Sequence, residues 1–250
     1  MNVLILAAGY ATRLYPLTLT KAKPLLQVAG KPMIEWVLDN LAPVPGIETV
    51  YVVTNNKFAQ DFQTWAEQFQ QRSGKLRIKI INDGSRDDAD KLGAIGDINL
   101  VLLREDLAQD DLIIVAGDNL FSEPLTAFVA HARGSEATLA TYDVGDLEAI
   151  KKYSAITTDA EGVLTSFEEK PAQPKSTLTG IALYYFSREI LPLFTTYIAA
   201  GNNPDQPGRF IQWLYQRKRV KTFQIQGTWF DIGSKETLEE ANLLFQQFVR

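Results

Sequence analysis

An apolar run of six residues, Val3-Leu4-Ile5-Leu6-Ala7-Ala8, stops at Gly9 and opens into a loop that reaches Gly30. Apolar on both faces, residues 3–8 read as a strand covered by helices on two sides, the setting of a parallel sheet. A connection this long is usually functional or disordered. Its apolar patches (Leu14, Tyr15, Leu17; Leu25, Leu26, Val28) argue for order. The loop also carries Thr12, Arg13, Lys21 and Lys23. Glycine lets backbone N–H groups come close to a ligand, and Arg and Lys neutralise charge, so the segment suits a polyphosphate. Most single loop cations are merely solvated; a shared, partly apolar loop at a strand end tips these two, Arg13 and Lys23, towards phosphate.

The pattern that follows alternates. Pro32 suits the first turn of a helix whose apolar face holds Met33, Ile34, Val37, Leu38 and Leu41. Strands are expected over 49–54, 76–81 and 112–116, and helices over 57–71, 93–103 and 124–132, with a polar turn at 82–88. Strand–helix alternation predicts an α/β fold with a doubly wound, mostly parallel sheet. Ligands sit outside the carboxyl ends of such strands, where both the Gly9 loop and Gly117-Asp118 fall. Beyond residue 135 the runs shorten. Strands are expected at 137–144, 154–158, 163–168, 178–186 and 220–226, with a hairpin turn at Asp159–Gly162 and a loop at 227–233. Helices are expected over 188–200, 208–217 and 235–249. One domain over 1–250, with an inserted mixed-sheet subdomain, fits better than two; its halves would meet near 135.

Some chemistry is excluded by supply. There is no cysteine, so thiolate metal sites, cysteine nucleophiles and disulfides are not available. With a single His131, at a helix end, triad-type nucleophilic catalysis is poorly supplied. The net charge of −5, with both signs mixed, argues against a nucleic-acid partner. No stretch approaches the ~18 apolar residues of a membrane span, so a cytoplasmic protein with no membrane partner is expected. The loop matches neither the dinucleotide nor the P-loop fingerprint.

Two carboxylates stand out. Asp118, after a buried strand and a glycine, is placed to hold Mg²⁺ against a phosphate, or simply to form a turn with Asn119. Asp231 in Trp229-Phe230-Asp231-Ile232-Gly233 reads equally as a metal ligand or as a carboxylate at the start of the last helix. Lys170, in Phe167-Glu168-Glu169-Lys170-Pro171, reads on composition alone as an exposed charge run.

Taken together these segments resemble the nucleoside-diphosphate-sugar pyrophosphorylases, the sugar-1-phosphate nucleotidyltransferases. Leu6-Ala7-Ala8-Gly9-Tyr10-Ala11-Thr12-Arg13-Leu14 with Lys23-Pro24-Leu25 resembles the family's opening signature, and Gly117-Asp118 its metal-binding strand end. The Glu169-Lys170-Pro171 segment, Thr179-Gly180 and Trp229–Gly233 resemble later motifs, in the family's order. The resemblance implies a Rossmann-like sheet of the nucleotide-diphospho-sugar transferase type and a set of roles. Leu6, Ala7, Ala8 and Gly9, with Arg13 and Lys23, would hold a nucleoside triphosphate, and Asp118 and Asp231 would bind Mg²⁺. Asn82, Gly84, Gly93 and Ala94 would line the base pocket. Tyr153, Glu169, Lys170, Thr179 and Gly180 would hold a sugar 1-phosphate, with Arg13, Lys23 and Lys170 as the catalytic cations. Short members lean towards dTTP or UTP with a hexose 1-phosphate; a homo-oligomer stays open. Rival readings are transfer to another phosphorylated acceptor, such as phosphocholine, and a non-catalytic sugar-nucleotide-binding module.

Three positions depart from the signature. Ala11 replaces a glycine, which is expected to keep the backbone there out of positive φ. Ala22 stands where proline is usual, and Ser154 where glycine is usual.

Overall fold

The computed structural model describes residues 1–74 and 76–249. In chain order its strands are β1 (Asn2–Leu6), β2 (Gln27–Val28), β3 (Lys31–Pro32), β4 (Thr49–Thr54), β5 (Arg77–Asn82), β6 (Leu112–Ala116) and β7 (Asn119–Phe121). Then come β8 (Ala137–Asp143), β9 (Ser154–Thr158), β10 (Leu164–Glu169), β11 (Leu178–Phe186), β12 (Val220–Gln224) and β13 (Trp229–Asp231). The helices are α1 (Met33–Leu41), α2 (Ala59–Ser73), α3 (Ala94–Arg104) and α4 (Thr126–Ala132). They continue with α5 (Pro192–Ala199), α6 (Pro207–Leu214) and α7 (Lys235–Phe245).

Seven strands form the main sheet in the order β12-β8-β11-β6-β1-β4-β5. The pairs β1–β4, β1–β6, β4–β5 and β12–β8 are parallel, and β11 runs antiparallel to both β6 and β8. The doubly wound α/β expectation therefore holds. The mixed pairing of the second half lies largely within this sheet, and the β9–β10 hairpin, the β7–β13 pair and the β2–β3 hairpin stand apart from it. Val3 and Ile5 point to a core shared with α1, α2 and α4; Leu4 points to another, shared with α3, α5 and α6. That two-sided burial is why β1 is apolar without alternation.

The strand expected over 3–8 ends at Leu6, and Ala7 and Ala8 lead out of the sheet. Pro32 caps α1 from the preceding hairpin strand and lies outside its first turn. Helix α3 runs through Gly96 without a break. Two short strands lie in segments read as turn and loop: β7 and β13 pair antiparallel, with Asp231 opposite Asn119.

A third apolar cluster anchors the long loop. Leu14, Leu26, Val28, Met33 and Trp36 pack with Leu238, Ala241 and Phe245 of α7. Leu14 is only 1% exposed, and burying such a side chain contributes about 2 kcal/mol to holding the loop in place. The loop is thus built as structure, with 3-10 turns at Thr12–Leu14 and Lys23–Leu25.

Ala11 departs from expectation. Its φ of 47° and ψ of 45° are left-handed, the conformation the signature's glycine would take freely. Its carbonyl accepts from the buried Thr18 hydroxyl at 2.8 Å and from the Leu14 N–H at 3.0 Å, and these bonds hold the turn against the Cβ clash. A left-handed non-glycine residue costs about 1–2 kcal/mol, part of which glycine would return through unfolded-state entropy. Ala11→Gly is therefore expected to raise the thermal midpoint by about 1–3 °C, measured by calorimetry; a lowered midpoint would show the position unstrained. Ala22, by contrast, sits at φ −61° and ψ 140°, the backbone proline prefers, so its substitution leaves the turn shape intact.

Candidate functional site

A cleft of about 640 Å³ opens at the carboxyl ends of β1 and β6. Leu6, Ala8, Gly9, Thr12 and Arg13 line one wall, Asp118 and Asp231 the centre, and Tyr153, Glu169, Thr179 and Gly180 the far side. Gly93 and Ala94 line it as well.

Close approach makes the centre possible. At Gly117 a Cβ would stand 3.1 Å from Ile5 Cγ2 and 3.2 Å from the Leu6 carbonyl oxygen and from Pro24 Cβ. Without a side chain there, the end of β6 passes beneath the loop and delivers Asp118. Pairing of β7 with β13 brings Asp231 alongside, and the Ile232 N–H reaches the Asp118 carbonyl at 3.5 Å. Asp231 is not the cap of α7. Ser234 is: its hydroxyl accepts from the Thr237 N–H at 3.3 Å, and Thr237 Oγ1 accepts from the Ser234 N–H at 2.9 Å. This capping box fixes the start of α7 and leaves the Asp231 carboxylate to the cleft.

Lys23 Nζ donates to Asp118 Oδ2 at 2.6 Å, and Asn119 Nδ2 donates to Asp118 Oδ1 at 3.1 Å. Asn119 is itself held by Trp229 Nε1, which donates to its Oδ1 at 2.7 Å. Burial first, then the Asp118 charge, pushes the Asp231 carboxyl up to about 6, while Lys23 and Arg13 pull it down. Arg13, Lys23, Asp118 and Asp231 are therefore within electrostatic reach of one another. Two hard carboxylates brought side by side form a donor set that fits Mg²⁺, which takes one or two protein carboxylates and completes its shell from water and phosphate. Among the described residues no group of three or more His, Cys, Asp or Glu could hold a metal alone.

Several expected site residues lie elsewhere. Ala7 is buried and off the cleft, its N–H donating to the Val53 carbonyl at 2.9 Å. Neither Asn82 nor Gly84 lines the cleft. Asn82 Nδ2 donates to Asn56 and its Oδ1 accepts from the Gly84 N–H, so both shape the loop after β5. At the start of α3 the Ala94 and Ile95 N–H groups donate to the Asp205 and Pro204 carbonyls at 3.1 and 2.8 Å, so neither is free for a ligand. Lys170 is exposed and does not line the cleft. The strand ends at Glu169, and Lys170 turns off it with φ 45°, its N–H on the Tyr153 carbonyl.

Other residues in the cleft escaped the sequence reading. Lys91, Lys152 and Arg209 are further cations, with Lys91 held between Asp88 and Asp205 at 3.2 Å each. Nothing in the local pattern marks Arg209, which α6 carries across from the other half. The Ser154 hydroxyl, new where glycine is usual, sits 3.1 Å from Thr179 Oγ1 and accepts from the Gly180 N–H at 3.3 Å. Tyr153 and Tyr142 flank the Trp229 ring, with centroids 5.9 and 5.4 Å away.

Asp97, in the first turn of α3, was also missed. Burial, and then the Asp83 carboxyl beside it, push it up to about 8. The unfolded chain releases this proton near 3.8 while the folded chain keeps it, so folding loses stability as pH rises from about 4 to about 8 and the loss then levels off. Asp97→Asn removes the titration. Its thermal midpoint is expected to match wild type near pH 4 and to exceed it by several degrees at pH 8–9 in scanning calorimetry. Parallel curves for the two proteins would place Asp97 in a solvated setting.

Fold and cleft together define the class: a doubly wound α/β protein with a cation-lined cleft at the carboxyl edge of its sheet. The chain belongs to the nucleotidyl transferase family, whose model matches residues 2–247. It is 25% identical over 97% of its length to the bifunctional protein GlmU of Methanocaldococcus jannaschii, of which it covers 53%. It is 27% identical to the UTP–glucose-1-phosphate uridylyltransferase AglF of Haloferax volcanii, over 99% of this chain and 97% of that one. A UDP-glucose pyrophosphorylase solved with UDP-glucose shares the fold, with a TM-score of 0.80, 21% identity and 98% of both chains covered. The chain spans about half to three-fifths of the length of several of the curated relatives it matches. Among the described residues no helix is long and apolar enough to cross a membrane.

Proposed function

We propose that the protein transfers a nucleoside monophosphate from a nucleoside triphosphate to a sugar 1-phosphate, releasing pyrophosphate, with Mg²⁺ held by Asp118 and Asp231. The observation that carries this reading is the convergence of Arg13, Lys23, Asp118 and Asp231 where the Gly9 loop meets the ends of β1 and β6. A phosphate oxygen of the sugar 1-phosphate attacks the α-phosphorus in line, and the bond to the pyrophosphate oxygen breaks. The nucleophile is already ionised near neutral pH, so no general base is needed, and the lone His131 is no obstacle. What the protein supplies is approach of two anions and preorganised positive charge. Arg13 and the N–H groups of the Gly9 loop bind the leaving side. Lys23, released from Asp118 when phosphate arrives, adds a second cation. Lys152 and Arg209 line the same cleft as Tyr153 and Glu169, and they steady the sugar phosphate in place of Lys170. When bound, Mg²⁺ supplies charge neutralisation on the triphosphate.

A preference for dTTP or UTP rests on resemblance alone, and the cleft wall at Asp88 and Asp97 does not support it. A hexose 1-phosphate as acceptor fits the Tyr153, Trp229 and Glu169 side, which offers aromatic faces and an acceptor for hydroxyls. The test is a matrix of triphosphates against sugar 1-phosphates and phosphocholine, scored by pyrophosphate with and without Mg²⁺. Release with at least one sugar 1-phosphate, dependent on Mg²⁺, is expected. Binding without release in every pairing would instead make the chain a sugar-nucleotide-binding module.

A further inference from the structure

Nucleotidyl transfer leaves one buried carboxyl among the described cleft residues without a task. Asp97 is 5% exposed and lines the cleft. Its Oδ1 is sealed from solvent, and among the described residues no group donates to it. Behind it stands a chain of polar groups. Asp83 accepts from the Ser85 N–H at 2.7 Å and from the Ser85 hydroxyl at 2.8 Å, and the Tyr10 hydroxyl lies 3.3 Å from Ser85 Oγ. A buried acceptor with no donor costs about 1–3 kcal/mol, so a structure that keeps one in a cleft invites a ligand to satisfy it.

The strand order says which part of a ligand arrives there. The sugar-side residues hang on β9, β10 and β11, Asp118 follows β6, and the Gly9 loop follows β1. Asp97 and Asp83 lie beyond β1, towards β4 and β5. If the proposed reaction is right, a triphosphate along the Gly9 loop with its α-phosphorus towards the sugar must place its base on this β5 side. The wall it meets is rich in acceptors. Asp88 and Asp97 are carboxyls, with Asp83 behind Asp97; Lys91 is occupied by Asp88 and Asp205, and the Ala94 and Ile95 N–H groups are taken by backbone carbonyls.

We propose that Asp97 reads the nucleobase by accepting a hydrogen bond from an exocyclic amino group, so that triphosphates of amino-bearing bases are preferred to those of uracil or thymine. Cytosine, adenine and guanine carry such a group. The Asp97 proton is shared with Asp83, which leaves Oδ1 as an acceptor. Uracil and thymine turn a carbonyl to the same edge, so two acceptors would face each other, both stripped of water. The protonation that burial and Asp83 impose agrees with this role, because a neutral carboxyl does not repel the triphosphate.

Two pairs of nucleotides differ chiefly at the relevant edge: CTP against UTP, and GTP against its deamino analogue ITP. Equilibrium binding of each in Mg²⁺, with no sugar phosphate present, is expected to favour the amino member of at least one pair by about 10- to 100-fold. Asp97→Ala should shrink that ratio below about 3-fold while UTP or ITP still binds, which also shows the variant folded. Asp97→Asn, matched in size and offering an amide donor, should level or reverse it. Equal binding within both pairs, or a preference that survives both substitutions, overturns the inference and leaves nucleotidyl transfer standing. No binding of any of the four overturns both.

Discussion

Arg13→Ala is expected to lower the rate of pyrophosphate release by about 10²–10³-fold, the scale of removing one preorganised donor from a developing charge. The size follows from how the side chain is held. Arg13 occupies the middle of a one-turn 3-10 helix whose next residue, Leu14, is buried against α7. The guanidinium faces the cleft and is near enough to Asp231 to lower its proton affinity. Little reorganisation is then needed when charge accumulates on the leaving pyrophosphate. The loss should fall mainly on kcat, because the backbone N–H groups of the Gly9 loop still bind ground-state phosphate. Arg13→Lys should restore part of it, keeping charge without the planar fork. A wild-type rate in Arg13→Ala, measured by steady-state pyrophosphate release, would remove the assignment of this loop to the leaving group.

Asp118→Asn is expected to be comparably severe, about 10²-fold or more in kcat, with a higher Mg²⁺ requirement. Asp118 joins three parts of the site: it accepts from Lys23 and Asn119, and its charge raises the proton affinity of Asp231. Making it neutral at once releases Lys23 and removes one of the two carboxylates proposed to hold the cation. A second readout needs no turnover. In wild type the raised Asp231 affinity means that stability falls as pH climbs from about 4 to about 6. Added Mg²⁺ should therefore raise the thermal midpoint more at pH 7 than at pH 5, and Asp118→Asn should blunt that difference. An equal Mg²⁺ effect at both pH values in wild type would count against the Asp118–Asp231 pair as the cation site.

Much of this architecture is legible in the chain. Two-sided apolar runs such as Val3–Leu6 and Leu112–Ala116 mark central strands because both faces of the sheet are covered. Gly117-Asp118 marks a strand end, where a Cβ would press to within 3.2 Å of Pro24 and the Leu6 carbonyl. The site was less legible. Lys170 and Asn82 sit in segments that resemble a known motif or pocket, yet neither lines the cleft. One sits where the chain turns off a strand end, and the other's amide bonds within its own loop. Ala11 was misjudged because steric preference argues against a left-handed alanine, and two hydrogen bonds to its carbonyl outweigh that preference.

The division has a physical cause. Strand and helix rhythm, the glycine break at residue 9 and the supply of cations are local properties, set by residues a few positions apart, and the sequence alone determined them. The pairing of β7 with β13 and the Lys23–Asp118 bond join residues about a hundred positions apart. The facing of Asp97 and Asp83 joins the start of α3 to the end of β5. Such contacts exist only once the sheet order has closed those loops, and the charge state of each group depends on the burial and neighbours that closure creates. The tertiary structure alone decided them.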